Sequence, residues 1–345
     1  MRWIAVIGAA LVAASVFGQV SPFNGLQVLP ADSTGAYRLV FGGHFHGAST
    51  NRSGYPAATL LANIAAIDSL HANALVSTGD LFLDPDRDSA RYARSLFSRL
   101  RTPLFNAPGN HDLEGRSYQR SYGPTHSTIS MGEDRIVLLD TERDNGDLVG
   151  DQLEVLKDLA AGFHGDRLFI VSHRPVWAED HPVYGPLFKG NTRSALGNNF
   201  KRDVEPLLER IASNAAVFWI SGSMAGGAPS SIFFQPAGKG ITYIQCAIRD
   251  EPRDALLIAD VRRGAISWKG FSLTGQNLLP VETYDAAWWQ KHKGGSIADT
   301  FNYRLIPLYV RDTVTDGRFW YGFLAAMLLV FFGRRLLHRG WRALG

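Results

Sequence analysis

Short apolar runs, each breaking off into residues that can carry chemistry, set the terms for this chain. Tyr37-Arg38-Leu39-Val40-Phe41 leads to His44 and His46, and Ala74-Leu75-Val76-Ser77 leads to Gly79-Asp80. Pro103-Leu104-Phe105 leads to Gly109-Asn110-His111-Asp112, and Arg167-Leu168-Phe169-Ile170-Val171 leads to Ser172-His173. Runs of this length and make-up predict buried strands. Between them, apolar residues recur at helical spacing: Leu60, Ile64 and Ile67 after Pro56, then Tyr92, Leu96 and Leu100 within 88–100, then Leu153, Leu156 and Leu159, and again over 204–211. Strands alternating with helices predict an α/β fold with parallel strand pairs. Over 240–273 the pattern changes to strands without helices (241–244, 255–261, 266–271), which predicts antiparallel completion of a sheet. In such sheets ligands bind outside the C-terminal strand ends, where loops converge. The polar clusters at the ends of these runs therefore belong at one rim.

The totals narrow the class. With 345 residues, 46% of them apolar, the chain can bury a large core, which excludes a disordered chain. The net charge is +3, but Arg334, Arg335, Arg339 and Arg342 cluster at the C-terminus, and without those four the remainder carries −1. That near-neutral body gives no footprint for nucleic-acid binding. Cys246 is the only cysteine, which excludes an intrachain disulfide and a cysteine-based metal site.

The ends read as addresses. Arg2, an apolar run over 3–17 and small residues near Gly18 have the order of a secretory signal peptide, 1–18, cleaved near Gly18-Gln19; an uncleaved anchor is the alternative. Residues 319–333 are uncharged, with Trp320 and Tyr321 at one edge and Arg334-Arg335 at the other. These 15 residues fall short of the ~20 of a usual span, but snorkelling arginines and Leu336-Leu337 extend it to a transmembrane helix over 319–337. The arginines then predict a cytoplasmic tail, 338–345. A buried or amphipathic helix competes with this reading. The expected layout is a domain over 19–273 outside the cytoplasm, a stalk or packing extension over 274–318, and single-pass attachment to the cell membrane.

Gly109-Asn110-His111-Asp112 is the most specific string. Asn110 offers a neutral oxygen ligand, His111 an imidazole that can move a proton, and Asp112 a carboxylate to orient that imidazole. With His44, His46, Asp80 and His173 arriving at the same rim, the donor set points to a metal site.

Over about 37–271 these residues resemble the calcineurin-like metallophosphoesterases, whose motifs run Asp-x-His, Gly-Asp, Gly-Asn-His-Asp/Glu, a lone His, and Gly-His-x-His. Gly79-Asp80, Gly109-Asn110-His111-Asp112 and His173 match the second, third and fourth. Tyr122-Gly123-Pro124-Thr125, Leu139-Asp140-Thr141 and Asp151-Gln152-Leu153 are similar to the extracellular branch that includes purple acid phosphatases. Two motifs depart: His44-Phe45-His46 stands for Asp-x-His, and Gly222-Ser223-Met224-Ala225 for Gly-His-x-His. The resemblance implies a sandwich of two mixed β-sheets flanked by helices, here with the C-terminal membrane helix added. It also implies one or two divalent ions (Mn, Fe or Zn) on Asp80, Asn110, His173, His46 and, as a substitute ligand, His44. His126 and His181 are candidates for the vacated positions, and Arg116 and Arg174 for a phosphate clamp.

The implied activity is hydrolysis of a phosphate mono- or diester through attack by metal-bound hydroxide, with His111, oriented by Asp112, protonating the leaving oxygen. The alternative is a catalytically impaired binding or scaffold protein on the same fold, at the membrane.

Overall fold

The apolar runs become strands that sort into two sheets. The computed structural model describes residues 19–115, 117–189, 197–262, 264–293, 306, 310, 313–314 and 317–342. The expected signal peptide, Arg116 and the last three residues of the expected tail lie outside these.

In the first sheet β1 (Tyr37–Gly42), β2 (Ala74–Ser77) and β3 (Leu104–Asn106) run parallel. The hairpin of β10 (Ala255–Arg262) and β11 (Ala265–Ser272) adds antiparallel to β1, giving the order β11-β10-β1-β2-β3. The second sheet contains β4 (Ser127–Met131), β5 (Asp134–Leu138), β6 (Arg167–Ser172), β7 (Ala216–Ser221), β8 (Ile232–Gly238) and β9 (Ile241–Cys246), in the order β4-β5-β6-β7-β9-β8. Its inner strands are parallel and its two edge strands antiparallel. Both sheets are therefore mixed, as expected. The strand read at 241–244 differs from expectation: it joins the second sheet parallel to β7, while only β10 and β11 complete the first. Its hairpin partner β8 is hard to read because Pro236 and Gly238 dilute its pattern. Both are tolerated on an edge strand with an irregular register.

Alternation along the first sheet decides which layer each side chain enters. Leu39 and Phe41 of β1, Val76 of β2 and Leu257 and Ala259 of β10 point into the core between the sheets. Val40, Leu75, Leu256 and Ile258 point outward, against a second cluster built from the helices. Between the sheets Phe169 stacks on Phe41 and Phe218, with Trp268 edge-on to it. On the outer face lie α1 (Ala58–Ala62), α2 (Ile64–Asp68) and α3 (Pro85–Tyr92), the last continuing through one π-turn, Ala93–Phe97. Asp84 caps α3 by accepting the Arg87 N–H at 3.2 Å, with Pro85 in the first turn, so this helix starts before the expected position 88.

Part of the segment beyond β11 packs on the domain. The Trp289 indole donates to the Ile232 carbonyl at 3.0 Å, and Phe234 N–H donates to the Tyr284 carbonyl at 2.9 Å. The final helix runs Gly317–Arg342, and its apolar side chains, Phe319, Leu324, Leu329 and Phe332 among them, are exposed. Among the described residues no helix is long and apolar enough to cross a membrane. The expected transmembrane helix at 319–337 is corrected accordingly. Its uncharged stretch of 15 residues rises only about 22 Å, against a hydrocarbon core of about 30 Å, before Arg334 interrupts it.

Candidate metal centre

The loops leaving β1, β2, β3 and β6 meet at one rim, tied together by backbone hydrogen bonds. His44 N–H donates to the Gly79 carbonyl at 2.8 Å, and Thr78 N–H to the Gly42 carbonyl at 2.9 Å. The N–H groups of Gly222 and Ser223, past β7, both donate to the His173 carbonyl, at 2.9 and 2.7 Å. His44 and Asp80 hold left-handed backbone conformations (φ +53° and +55°) that non-glycine residues seldom adopt and that the surrounding bonds must maintain. Gly109 is needed for closeness: a methyl group there would overlap Asp80 Oδ1. That proximity lets His111 N–H donate to Asp80 Oδ1 at 3.1 Å.

The other oxygen, Asp80 Oδ2, faces three buried imidazoles. The Nε2 atoms of His173, His46 and His44 lie 3.5, 3.6 and 3.7 Å from it. A tetrahedral ion with bonds of about 2.1 Å would space its donor atoms about 3.4 Å apart. Asp80 is shared by two possible ligand groups, His44/Asp80/His173 and His46/Asp80/His111, with donor atoms within 4.8 Å of one another in each. Neither ring nitrogen of His46, nor Nε2 of His44 or His173, has a hydrogen-bond partner among the described residues. Buried polar atoms are rarely left so.

The His173 tautomer sharpens the point. Its Nδ1 lies 3.1 Å from the Thr78 carbonyl, which can only accept, so Nδ1 carries the hydrogen. In the neutral ring Nε2 then aims a lone pair at a carboxylate oxygen inside a buried site, a repulsion that a cation beside Asp80 relieves. The residues present fit a divalent ion. Burial by itself pushes the Asp80 carboxyl up, but positive charge on the surrounding histidines, His173 foremost, outweighs it and holds Asp80 well below the usual carboxylate range. Burial also pushes His44 well below the usual imidazole value, against the pull of Asp80, which keeps it neutral.

The third motif works differently from expectation. Asp112 does not orient His111. Its carboxylate is fully buried and accepts Phe82 N–H at 2.8 Å, Gly109 N–H at 2.9 Å and the Asn106 amide at 2.9 Å. It braces the Asp80 loop against the Asn110 turn. Burial raises its pKa, with the Asp80 charge adding to the effect. The carboxylate beside the His111 ring is Glu114, whose Oε1 lies 3.1 Å from Nδ1. An acid one helical turn beyond the motif histidine was a usable sequence signal for it. Asn110 sits on the turn between Gly109 and His111, whose N–H groups bind Asp112 and Asp80.

The other candidates are engaged elsewhere. His126 lies against Asp151 at 3.4 Å, and His181 stacks on Tyr184 while accepting from its N–H. Arg174 is buried in an ion pair with Glu179 and donates to the Asn145 carbonyl, so it is no phosphate clamp. Arg249, with no marker in the sequence, does reach the cluster, 3.0 Å from His44 Nδ1.

No protein family's sequence profile matches the chain, and no curated protein is similar to it in sequence. Solved structures similar to it include a purple acid phosphatase from yellow lupin (Lupinus luteus) seeds, with TM-score 0.48, 11% identity, and 73% of this chain and 54% of that one covered. This chain thus spans about half the length of the lupin protein. A dimetal phosphatase from Danio rerio gives TM-score 0.47 and 17% identity, covering 71% of this chain and 99% of that one. A conserved uncharacterized protein from Streptococcus pneumoniae, described as a predicted phosphoesterase, gives 0.34 and 12%, covering 69% and 90%. At these TM-scores the likeness decides nothing about chemistry, which rests on the side chains themselves.

Proposed function

We propose that this chain is a metal-dependent phosphoesterase acting on a phosphate mono- or diester. The observation that carries the reading is the convergence of the unpartnered, buried imidazole nitrogens of His46 and His173 on Asp80 Oδ2. A divalent ion (Mn, Fe or Zn) held by Asp80 with His46 would supply Lewis acidity, acidifying water and neutralising charge on phosphoryl oxygens. Asn110, on the adjoining turn, is the proposed neutral oxygen donor. His111 is the rim imidazole, with a quarter of its side chain exposed, so it can exchange its proton with solvent. It protonates the leaving oxygen, and the carboxylate beside its ring is that of Glu114, not Asp112.

The test is hydrolysis of aryl phosphate mono- and diesters by the full chain with Mn²⁺, alongside its metal content. Wild type is expected to turn over, and His111→Ala to lose at least about 100-fold in kcat. Undiminished turnover in His111→Ala would remove the role given to that residue. Absence of both metal and hydrolysis in wild type would favour the scaffold reading, which the substituted last motif supports.

We also propose that the domain works outside the cytoplasm, attached to the cell membrane through the helix Gly317–Arg342. The leader-like order of 1–18 supports the location, and the exposed apolar side chains of that helix, with arginines following them in the sequence, support the attachment. Flotation with anionic vesicles should carry the full chain and leave behind a chain ending at 316; equal flotation of both would reject attachment.

A further inference from the structure

Two histidines of the centre stand in opposite tautomers. His173 Nδ1 faces a carbonyl and so leaves Nε2 with a lone pair. His44 Nδ1 instead faces Arg249 Nη1 at 3.0 Å, and a guanidinium has only hydrogens to give. His44 Nδ1 must therefore accept. A neutral imidazole carries a single N–H, so that hydrogen sits on Nε2, the atom facing Asp80. In this state His44 Nε2 turns a hydrogen toward the carboxylate, 3.7 Å away and beyond hydrogen-bond reach, and has no lone pair to offer a metal.

Arg249 has further features of a fixed charge rather than a packing residue. Nη1 also donates to the Met224 carbonyl at 2.9 Å, and Nη2 to Ser49 Oγ at 3.2 Å, both uncharged acceptors. No carboxylate lies within ion-pair distance of it among the described residues. The acids nearby are used by others: Glu251 pairs with Arg253 at 2.6 Å, and Asp254 accepts the backbone N–H of Arg249 and the hydroxyl of Thr59. Nε and the second hydrogen of Nη2 make no hydrogen bond among the described residues. A half-buried cation with no carboxylate in direct contact, beside a cluster of ligand imidazoles, is a receptor for an anion. Its place fits the two altered motifs. It bonds the residue standing where a carboxylate is expected, and the backbone of the loop that has lost its histidines.

We propose that Arg249 is a resident cation of the site, which withdraws His44 from the ligand set and receives the phosphoryl oxygens, so that the centre takes one divalent ion and not two. This rests on the phosphoester reading for the identity of the anion. Withdrawing His44 leaves its group with only Asp80 and His173, so the single ion rests on Asp80 and His46 of the other group, with the Asn110 turn.

Three measurements on the full chain test it. Titration with Mn²⁺ should saturate at one ion per chain; two would overturn the proposal. Inorganic phosphate binding to the Mn²⁺-loaded protein should weaken at least about tenfold in Arg249→Met, with partial recovery in Arg249→Lys, while Mn²⁺ binds no more weakly than in wild type because His44 is released to the metal. Unchanged phosphate binding would overturn it. Nitrogen-15 NMR of the wild-type histidines, which needs no variant to fold, should show His44 protonated at Nε2 both without metal and with Zn²⁺. A Zn²⁺-bound His44 Nε2 would overturn it. Failure of the phosphoesterase reading is separate: aryl esters would go unhydrolysed while phosphate binding still depended on Arg249.

Discussion

The Thr78 carbonyl accepts the Nδ1 hydrogen of His173 at 3.1 Å. Thr78 stands two residues before Asp80, so the turn that delivers the carboxylate also sets the tautomer of an imidazole facing it. Those two side chains arrive from different sheets, β2 and β6, and the bond ties their loops across the rim.

Asp80→Asn should abolish tight binding of the divalent ion, with Mn²⁺ affinity falling at least about 100-fold by isothermal titration, because the carboxylate is the one anion shared by every ligand group. His173→Ala should cost less, about 10-fold or more. Affinity unaffected by Asp80→Asn would place the ion elsewhere.

Asp112→Ala should act on stability, since the carboxylate accepts three buried donors, from Phe82, Gly109 and Asn106. Leaving them unsatisfied should cost about 2–4 kcal/mol in urea unfolding. A variant of wild-type stability that loses only turnover would restore Asp112 as the partner of His111.

Asp254 predicts a pH dependence. Burial, against the pull of Arg253, raises its carboxyl from 3.8 to about 7 in the folded chain. Between those values the unfolded chain has released the proton and the folded chain keeps it. Stability therefore falls as pH rises across that window, by about 4 kcal/mol, and levels off above it. Asp254→Asn should flatten the difference between urea unfolding at pH 4.5 and at pH 8. An equal slope in the variant would assign the dependence to other groups.

Much of the centre was legible because strand ends are. A run such as Ala74–Ser77 can only be a buried strand, and the residues after it must emerge at the sheet's edge, so the grouping of Asp80, His46 and His173 could be anticipated. Asp112 was misjudged because adjacency on a turn resembles contact, whereas its side chain points down into the loops and Glu114, three residues beyond His111, reaches the ring. His126 and His181 looked available only because the sequence does not display Asp151 or Tyr184 beside them. The strand at 241–244 was assigned to the wrong sheet because local pattern reports burial, not partner. The C-terminal run announced its apolar character, but its length in the helix falls below that of a span.

Local order along the chain was enough to decide the α/β alternation, the mixed sheets and the residue types gathered at the rim, since each follows from short-range periodicity and from where a strand must stop. Folding alone decided which nitrogen of His173 and of His44 faces a donor or an acceptor, and that Arg249 lies against His44 from a position 205 residues away. Tautomer and charge balance depend on which donor or acceptor faces a ring nitrogen, and that neighbour is supplied by another strand of the fold.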